Sequence, residues 1–456
     1  MHIVFFADQH LDSLGGAQVS MRLQRRFLEE AGHTVTVVAP AMHGPRAARG
    51  EDAGNVDVPS APITWDREYA FSAPGRRTDR FVDDALAARP PIDVVHVQAD
   101  FWGAFIGHRF ARRHGLPVVH TMHNRVDVGI RAVSPMPGLT LWAINAWQRG
   151  ALGVRGARRA LGVRGGSERR RIGRMSEDSA QNLRQSGDSP TLDGGRAGGS
   201  DGWAYLRGLA AGADAVTAPS GHFARRLERH GVFPHVDVVW NGIDDDVLDA
   251  VLAAAAPPPA PERRSPAPEP VEGRPRFIWL GRMSPEKRLL PFLDAVAVSG
   301  IDADVEVLGG GAQLRAARRL VEKRRPQASI VFGGRMSYPE TLRRIAAADA
   351  LVQTSIGFET QGMTPFEAAS LGTPAVISDP DIAGELESGF WAVGGGRDAA
   401  PAHGDDSVAA LAATLRSAAA DIAAGDPVPV NPTVRERFRQ SSRTAAMLEV
   451  YDRVVA

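Results

Sequence analysis

Short apolar runs alternate with longer stretches of helical periodicity along almost the whole chain, and this alternation limits the fold more than any other feature. Residues 2–7, 34–39, 93–97, 117–121, 215–218 and 236–239 read as strands, with a helix over 18–31 between the first two. A strand that is apolar along its whole length must be covered on both faces, so the pattern predicts parallel sheets flanked by helices. After residue 274 the series restarts. Strands are expected at 277–280, 304–308, 329–332, 350–353 and 375–378, with helices at 289–299, 312–323, 338–347 and 365–371. The last helical run, 434–455, is expected to pack back across the molecule.

Two breaks divide the series. Residues 253–274 are rich in Ala, Pro and Glu and read as a semi-extended linker. Residues 154–201 form an Arg/Gly/Ser tract in which the Ala-Leu-Gly-Val-Arg-Gly starting at Ala151 repeats at Ala160. So few apolar residues cannot offset the ordering entropy, which predicts a mobile insertion. Its arginines, Arg155 to Arg174, read either as a solvated loop or as a patch for anionic lipid head groups. The expected organisation is therefore α/β, with two Rossmann-like doubly wound domains facing across a cleft. Residues 1–252 form the first domain, 253–275 the linker, 276–430 the second domain and 431–456 the returning helix.

Composition excludes several classes. Lys+Arg and Asp+Glu balance at 53 each, which gives no basic surplus for nucleic acid. The chain has no cysteine, so disulfides and thiolate metal sites are ruled out. The N-terminus has no signal-peptide pattern, and no apolar run reaches the roughly 18 residues of a membrane span. A cytoplasmic protein is expected, at most peripheral at the inner face of the membrane.

The chemistry-bearing residues fall at predicted strand ends, where open α/β sheets bind ligands. In Phe358-Glu359-Thr360-Gln361-Gly362-Met363-Thr364-Pro365-Phe366-Glu367-Ala368, two carboxylates lie eight positions apart around a glycine and a helix start. Thr364-Pro365-Phe366-Glu367 reads as a capping box, which would account for Glu367 structurally. No structural rule asks for Glu359. Arg282 and Lys287 follow the strand at 277–280; lysine occurs only at positions 287 and 323, so Lys287 stands out in a chain that otherwise uses Arg. Two cations beside a helix start suit a diphosphate. Leu14-Gly15-Gly16-Ala17 opens the first helix and reads either as an anion-binding loop or as a tight turn. His120 and His123 end the strand at 117–121, where a histidine can donate a hydrogen bond or move a proton. Nothing around them suggests a metal. Phe101, Trp102 and Phe105 read either as an apolar acceptor surface or as a buried helix face.

Taken in order, these pieces resemble the retaining nucleotide-sugar glycosyltransferases of the GT-B fold, family four. The resemblance runs through Gly15-Gly16-Ala17, Thr121-Met122-His123, Ala218-Pro219-Ser220, Asn241-Gly242-Ile243-Asp244, Gly281-Arg282 with Lys287, Gly333, and Glu359 with Glu367 as an E-x7-E signature. It implies that Arg282 and Lys287 hold the donor diphosphate, Glu367 the ribose, and Glu359 the donor sugar. His123 would meet the sugar or the reacting face, Gly16 the phosphates, and Gly333 the base. Gly362, Met363 and Thr364 would complete the donor-binding set. It further implies retention of anomeric configuration through a front-face, oxocarbenium-like path, without a metal or other cofactor. The sequence departs from the family at Glu359-Thr360-Gln361-Gly362, where Glu-Gly-Phe-Gly is commoner, and at Asp381-Ile382-Ala383-Gly384, where a double glycine is usual. The former looks like the variant of several lipid-directed members.

The function expected is transfer of a hexose from a UDP- or GDP-sugar to a carbohydrate or lipid acceptor, in glycan or glycolipid biosynthesis. Contact with an anionic membrane is a further expectation, and nucleic acid is not an expected partner. A sugar-nucleotide epimerase or a phosphorylase of the same fold, or a non-catalytic sugar-nucleotide-binding protein, are the alternatives.

Overall fold

A computed structural model describes residues 1–13, 16–43, 52, 54–64, 67, 69–153, 201–254, 273–399 and 407–456. The first half contains β1 (His2–Ala7), α1 (Gly16–Glu30), β2 (Thr34–Pro40), β3 (Asn55–Val58), β4 (Ala61–Pro62), β5 (Ala70–Phe71), α2 (Arg76–Ala87) and β6 (Val94–Gln98). It continues with α3 (Trp102–His114), β7 (Val118–Thr121), α4 (Val126–Val133), α5 (Pro137–Leu152), α6 (Gly202–Ala210), β8 (Ala215–Ala218), α7 (Gly221–Arg229) and β9 (Val236–Val238). The second half contains α8 (Asp245–Ala254), β10 (Arg276–Arg282), α9 (Leu289–Ser299), β11 (Asp304–Gly310), α10 (Leu314–Arg324), β12 (Ser329–Gly334), α11 (Tyr338–Ala347) and β13 (Ala350–Gln353). It ends with α12 (Met363–Ser370), β14 (Ala375–Ile377), α13 (Pro380–Leu386), β15 (Phe390–Ala392), β16 (Gly396–Arg397), α14 (Val408–Ala423), α15 (Thr433–Phe438) and α16 (Gln440–Val455).

The two halves build two sheets of like design. The first has the order β3-β2-β1-β6-β7-β8-β9, parallel throughout. The second has the order β12-β11-β10-β13-β14-β15-β16, parallel except for the β15–β16 edge. In each, the strand order reverses beside the central strand, between β1 and β6 and between β10 and β13. A crevice opens at such a switch point, because successive helices leave to opposite faces of the sheet. β1 and β6 are buried along their whole length, as the unbroken apolar runs require.

The chain enters the second core earlier than the expected division at residue 252. Trp240, Ile243, Leu248 and Val251 pack with Ile278, Leu342, Phe366 and Phe438. α8 is a short apolar helix whose sequence does not say which sheet it covers, and these contacts seat it on the second core. Of the expected linker, 255–272 lies outside the described residues, as does 154–200 of the Arg/Gly tract.

The expected single helix at the C-terminus is two. Arg439 is extended (φ −58°, ψ 141°) between α15 and α16, where the chain crosses from one domain to the other. At that crossing Ile243 N–H donates to Phe438 O and Gln440 N–H to Ile243 O, both at 2.8 Å. The two interdomain passages thus run side by side. α16 then packs on α1 and against β6 and β7, and its Tyr451 hydroxyl lies 2.6 Å from His96 Nδ1 in the first core.

Candidate active site

The donor side expected from sequence assembles at the β10/β13 switch point. β10 ends at Arg282, and a single 3-10 turn carries Lys287 back toward the loop that follows β13. There Lys287 Nζ donates to Glu359 Oε1, which also accepts from Ser355 Oγ at 2.8 Å. The lysine is held from behind. Thr354 Oγ1 donates to Lys287 O at 2.7 Å, and the buried indole of Trp279 donates to Thr354 Oγ1 at 2.9 Å. Arg282 is different. Its side chain is 68% exposed and makes a local contact with Glu286 at 3.0 Å. Such a surface pair holds its partners weakly, so the guanidinium can turn toward an anion. The strands meet closely here: a Cβ on Gly309 (φ 115°) would lie 2.0 Å from Gly281 O.

α12 corrects the reading of Glu367. The helix starts at Met363 after Gly362 (φ 74°), no side chain caps its first turn, and Thr364 is inside it. The expected capping box is therefore absent: Glu367 lies in the second turn, beyond reach of an N-cap N–H. The glycine's left-handed conformation ends the loop earlier than Thr364-Pro365 suggested, because only Gly adopts it at little cost. Glu367 is instead buried and accepts a hydrogen bond from Tyr338. Burial pushes its carboxyl up to about 7, a rise that the tyrosine only partly offsets. A buried carboxyl with no capping duty is a stronger ligand candidate than the sequence made it. The uncapped first turn of α12 adds backbone N–H groups and dipole charge to the same end of the sheet.

Gly16 and Gly333 differ in their surroundings. A Cβ at Gly16 would meet nothing within 4 Å, so packing does not explain a glycine at the start of α1. A Cβ at Gly333 would lie 2.6 Å from Leu308 Cδ2, so that glycine is already required by the core. Gly15 lies outside the described residues.

On the first domain the switch point brings together residues that the sequence reading did not select. Asp8 directly follows β1, and Asp100 lies two residues beyond β6. The Asp8 carboxylate accepts the N–H groups of Asp100, Phe101 and Gly103, at 2.8, 3.0 and 2.9 Å, so it caps α3. Asp100 Oδ2 accepts from Asn124 Nδ2 at 2.6 Å and from His123 N–H at 3.2 Å, while its buried Oδ1 has no protein partner. Burial raises Asp8 to about 6, against its three backbone donors. Burial, and then the charge of Asp8, raises Asp100 to about 7. His123 follows β7, and burial lowers it to about 4, so the ring is neutral at neutral pH; its Nε2 is also buried without a partner. His120 is buried in the core, its Nδ1 3.0 Å from His108 Nε2 and its Nε2 2.9 Å from Ala99 O. Phe105 is fully buried against Trp147 and Tyr205, and Trp102 donates to Asp8 O, so these aromatics serve the α3 packing face. The position of Asp8 and Asp100 at strand ends was the available signal for finding them.

The loop carrying Glu359 is clasped by the first domain. Arg125 Nη1 donates to Gly357 O at 3.0 Å, Ser220 Oγ donates to Thr360 O, and His222 Nε2 lies 3.3 Å from Glu359 O. Gln361 is buried and makes three hydrogen bonds with Asn241: its Oε1 accepts from Asn241 N–H at 2.9 Å and from Asn241 Nδ2 at 2.8 Å, and its Nε2 donates to Asn241 O at 3.2 Å. Asn241 Oδ1 in turn accepts from Ser20 Oγ on α1 at 2.6 Å. The glutamine that departs from the commoner motif is thus an interdomain tie. At the second departure, Asp381 pairs with Arg226, and Glu385 accepts from Gly221 N–H, again across the cleft. Among the described residues no group of three or more His, Asp or Glu is placed to hold a metal ion.

Two sheets of this topology, facing each other over a cleft with a cation–carboxylate cluster on one wall, define the GT-B class of glycosyltransferases. Solved structures of that class share the fold. The sucrose-phosphate synthase of Thermosynechococcus elongatus superposes with a TM-score of 0.62 at 15% identity, covering 99% of this chain and 98% of its own. HepE of Anabaena, solved with UDP and glucose, gives 0.60 at 13% identity, covering 99% and 100%. Residues 14–164 match the model of Glycosyltransferase Family 4, and 262–399 that of Glycosyl transferases group 1. The "Alpha-monoglucosyldiacylglycerol synthase" of Streptococcus pneumoniae is 22% identical over 385 residues, 82% of this chain and 70% of the relative. The chain belongs to the family-4-like glycosyltransferases.

Proposed function

We propose that the protein transfers a hexose from a UDP- or GDP-sugar to a lipid-borne acceptor, with retention of anomeric configuration. One observation carries the donor assignment: Lys287 and Glu359, distant in sequence, meet across the β10/β13 switch point beside the uncapped start of α12. Arg282, Lys287 and that helix end supply the positive charge a departing nucleoside diphosphate requires, so no metal is assigned a part. Glu359 then orients sugar hydroxyls, and Glu367 with Tyr338 takes the ribose. Gly16 lets backbone approach the phosphates. His123, neutral and with Nε2 unpaired, meets the sugar from the opposite wall, on a loop that Asp100 holds by its backbone. Support for UDP comes from HepE, solved with that nucleotide, and support for a lipid acceptor from the name of the pneumococcal relative.

The test is a donor screen by thermal shift with UDP- and GDP-sugars, followed by turnover of Arg282→Ala and Glu359→Ala. Each substitution should lower kcat/KM by about 100-fold or more, as loss of a charge-stabilising group does. Unchanged turnover in both refutes the donor site. An inverted anomeric centre in the product, read by NMR, refutes retention.

A further inference from the structure

The helix α5 carries large apolar side chains on its outer face as well as its inner one. Its buried stripe is Leu141, Asn145, Gln148 and Leu152, while Met136, Leu139 and Trp142, at its start and along its outer face, are 60%, 55% and 54% exposed. The two buried amides are satisfied: Asn145 Nδ2 donates to Leu141 O at 2.8 Å, and Gln148 Nε2 to Tyr205 O at 2.6 Å. α5 is therefore firmly seated on α6, and its apolar outer face is not the result of a loose helix. A surface helix ordinarily keeps its outer face polar. Charge is biased in the same stretch of chain. From Val128 to Ser167 the sequence contains no Asp or Glu, and both arginines of its described part, Arg131 and Arg149, are exposed. The sequence beyond α5 continues this bias with Arg155, Arg158, Arg159 and Arg164. No helix among the described residues is long and apolar enough to cross a membrane.

We infer that Met136, Leu139 and Trp142 form a docking surface for an anionic lipid bilayer, entered to interfacial depth with Arg131 and Arg149 at the head groups. Apolar and aromatic side chains beside cations, with no acid among them, match such an interface, and tryptophan suits its boundary. A second copy of this chain would instead bring arginines against arginines. Position fits as well. α4 and α5 follow directly on His123 and Arg125, and Arg125 reaches the Glu359 loop, so the patch lies on the helices that lead on from the first domain's wall of the cleft. The inference extends the lipid-acceptor reading above and rests on it for its purpose, though not for its test.

The experiment is co-sedimentation of the full-length protein with vesicles of phosphatidylcholine alone and with added phosphatidylglycerol. The wild type should sediment with the anionic vesicles. Met136→Ser/Leu139→Ser/Trp142→Ser should lose about tenfold or more in partitioning, with an unchanged thermal melt, since these side chains are exposed. Arg131→Ala/Arg149→Ala should lose preference for the anionic vesicles. Binding by the triple variant equal to wild type, or no vesicle binding by wild type, overturns the inference. So does a wild-type dimer that the triple variant dissociates. Donor hydrolysis should be the same in wild type and triple variant. Vesicle binding that depends on the patch, with no lipid product formed, supports the docking surface and refutes only the acceptor assignment.

Discussion

Glu367→Gln tests the reading of the buried carboxyl in two independent ways. In the folded protein burial lifts this group from its ordinary 4.5 to about 7. Between those values the folded chain holds a proton that the unfolded chain has released. Its contribution is therefore fully favourable only below about 4.5 and is lost as pH rises through about 7. At about 1.4 kcal/mol per pKa unit, the ionised carboxyl costs the fold roughly 3 kcal/mol above neutrality. Glutamine has the same shape, can still accept from Tyr338, and does not ionise. Wild type and variant should thus unfold alike near about pH 4, and the variant should be more stable by roughly 3 kcal/mol near about pH 8.5. Asp8 and Asp100 also titrate near neutrality, but they are present in both proteins and cancel in the difference. Denaturant melts followed by tryptophan fluorescence report the transition, since Trp279 and Trp391 lie in the second core. Donor binding should move the other way: the variant weakens it by about tenfold or more, having lost an ionised acceptor for ribose hydroxyls. A stability difference that stays constant with pH would refute the perturbed carboxyl. Unchanged donor affinity would refute its place in the site.

Three further outcomes follow from particular contacts. Gly309→Ala, which forces a Cβ to within 2.0 Å of Gly281 O at a φ of 115°, should destabilise the second domain by about 3 kcal/mol or more in a chemical melt. Tyr451→Phe leaves His96 Nδ1 buried without its partner and should cost about 1–3 kcal/mol in the first-domain transition. Turnover should survive exhaustive treatment with a chelator, because fixed cations supply the charge; loss restored by a divalent ion would overturn that assignment.

The alternation of apolar runs determined two parallel α/β domains, since a strand apolar on both faces has few other places to go. Several elements, including β1, α9, α11 and β13, fall where periodicity placed them. The ordered motifs also named Arg282, Lys287, Glu359 and Glu367, because cations and carboxylates at strand ends are legible as residue types. What the sequence could not show was which of these touch, which polar groups are left buried, and where a short helix packs. Lys287 meets Glu359 only because β10 and β13 are adjacent at the switch point. Glu367 lost its capping explanation when Gly362 began α12 early, and burial gave it another. Asp8 and Asp100 became a coupled pair only through the pairing of β1 with β6, and α8 joined the second core through contacts no local pattern encodes. Residue type and periodicity are local properties of a chain. Burial, unpaired atoms and shifted protonation arise from neighbours distant in sequence, and the tertiary structure alone decided them.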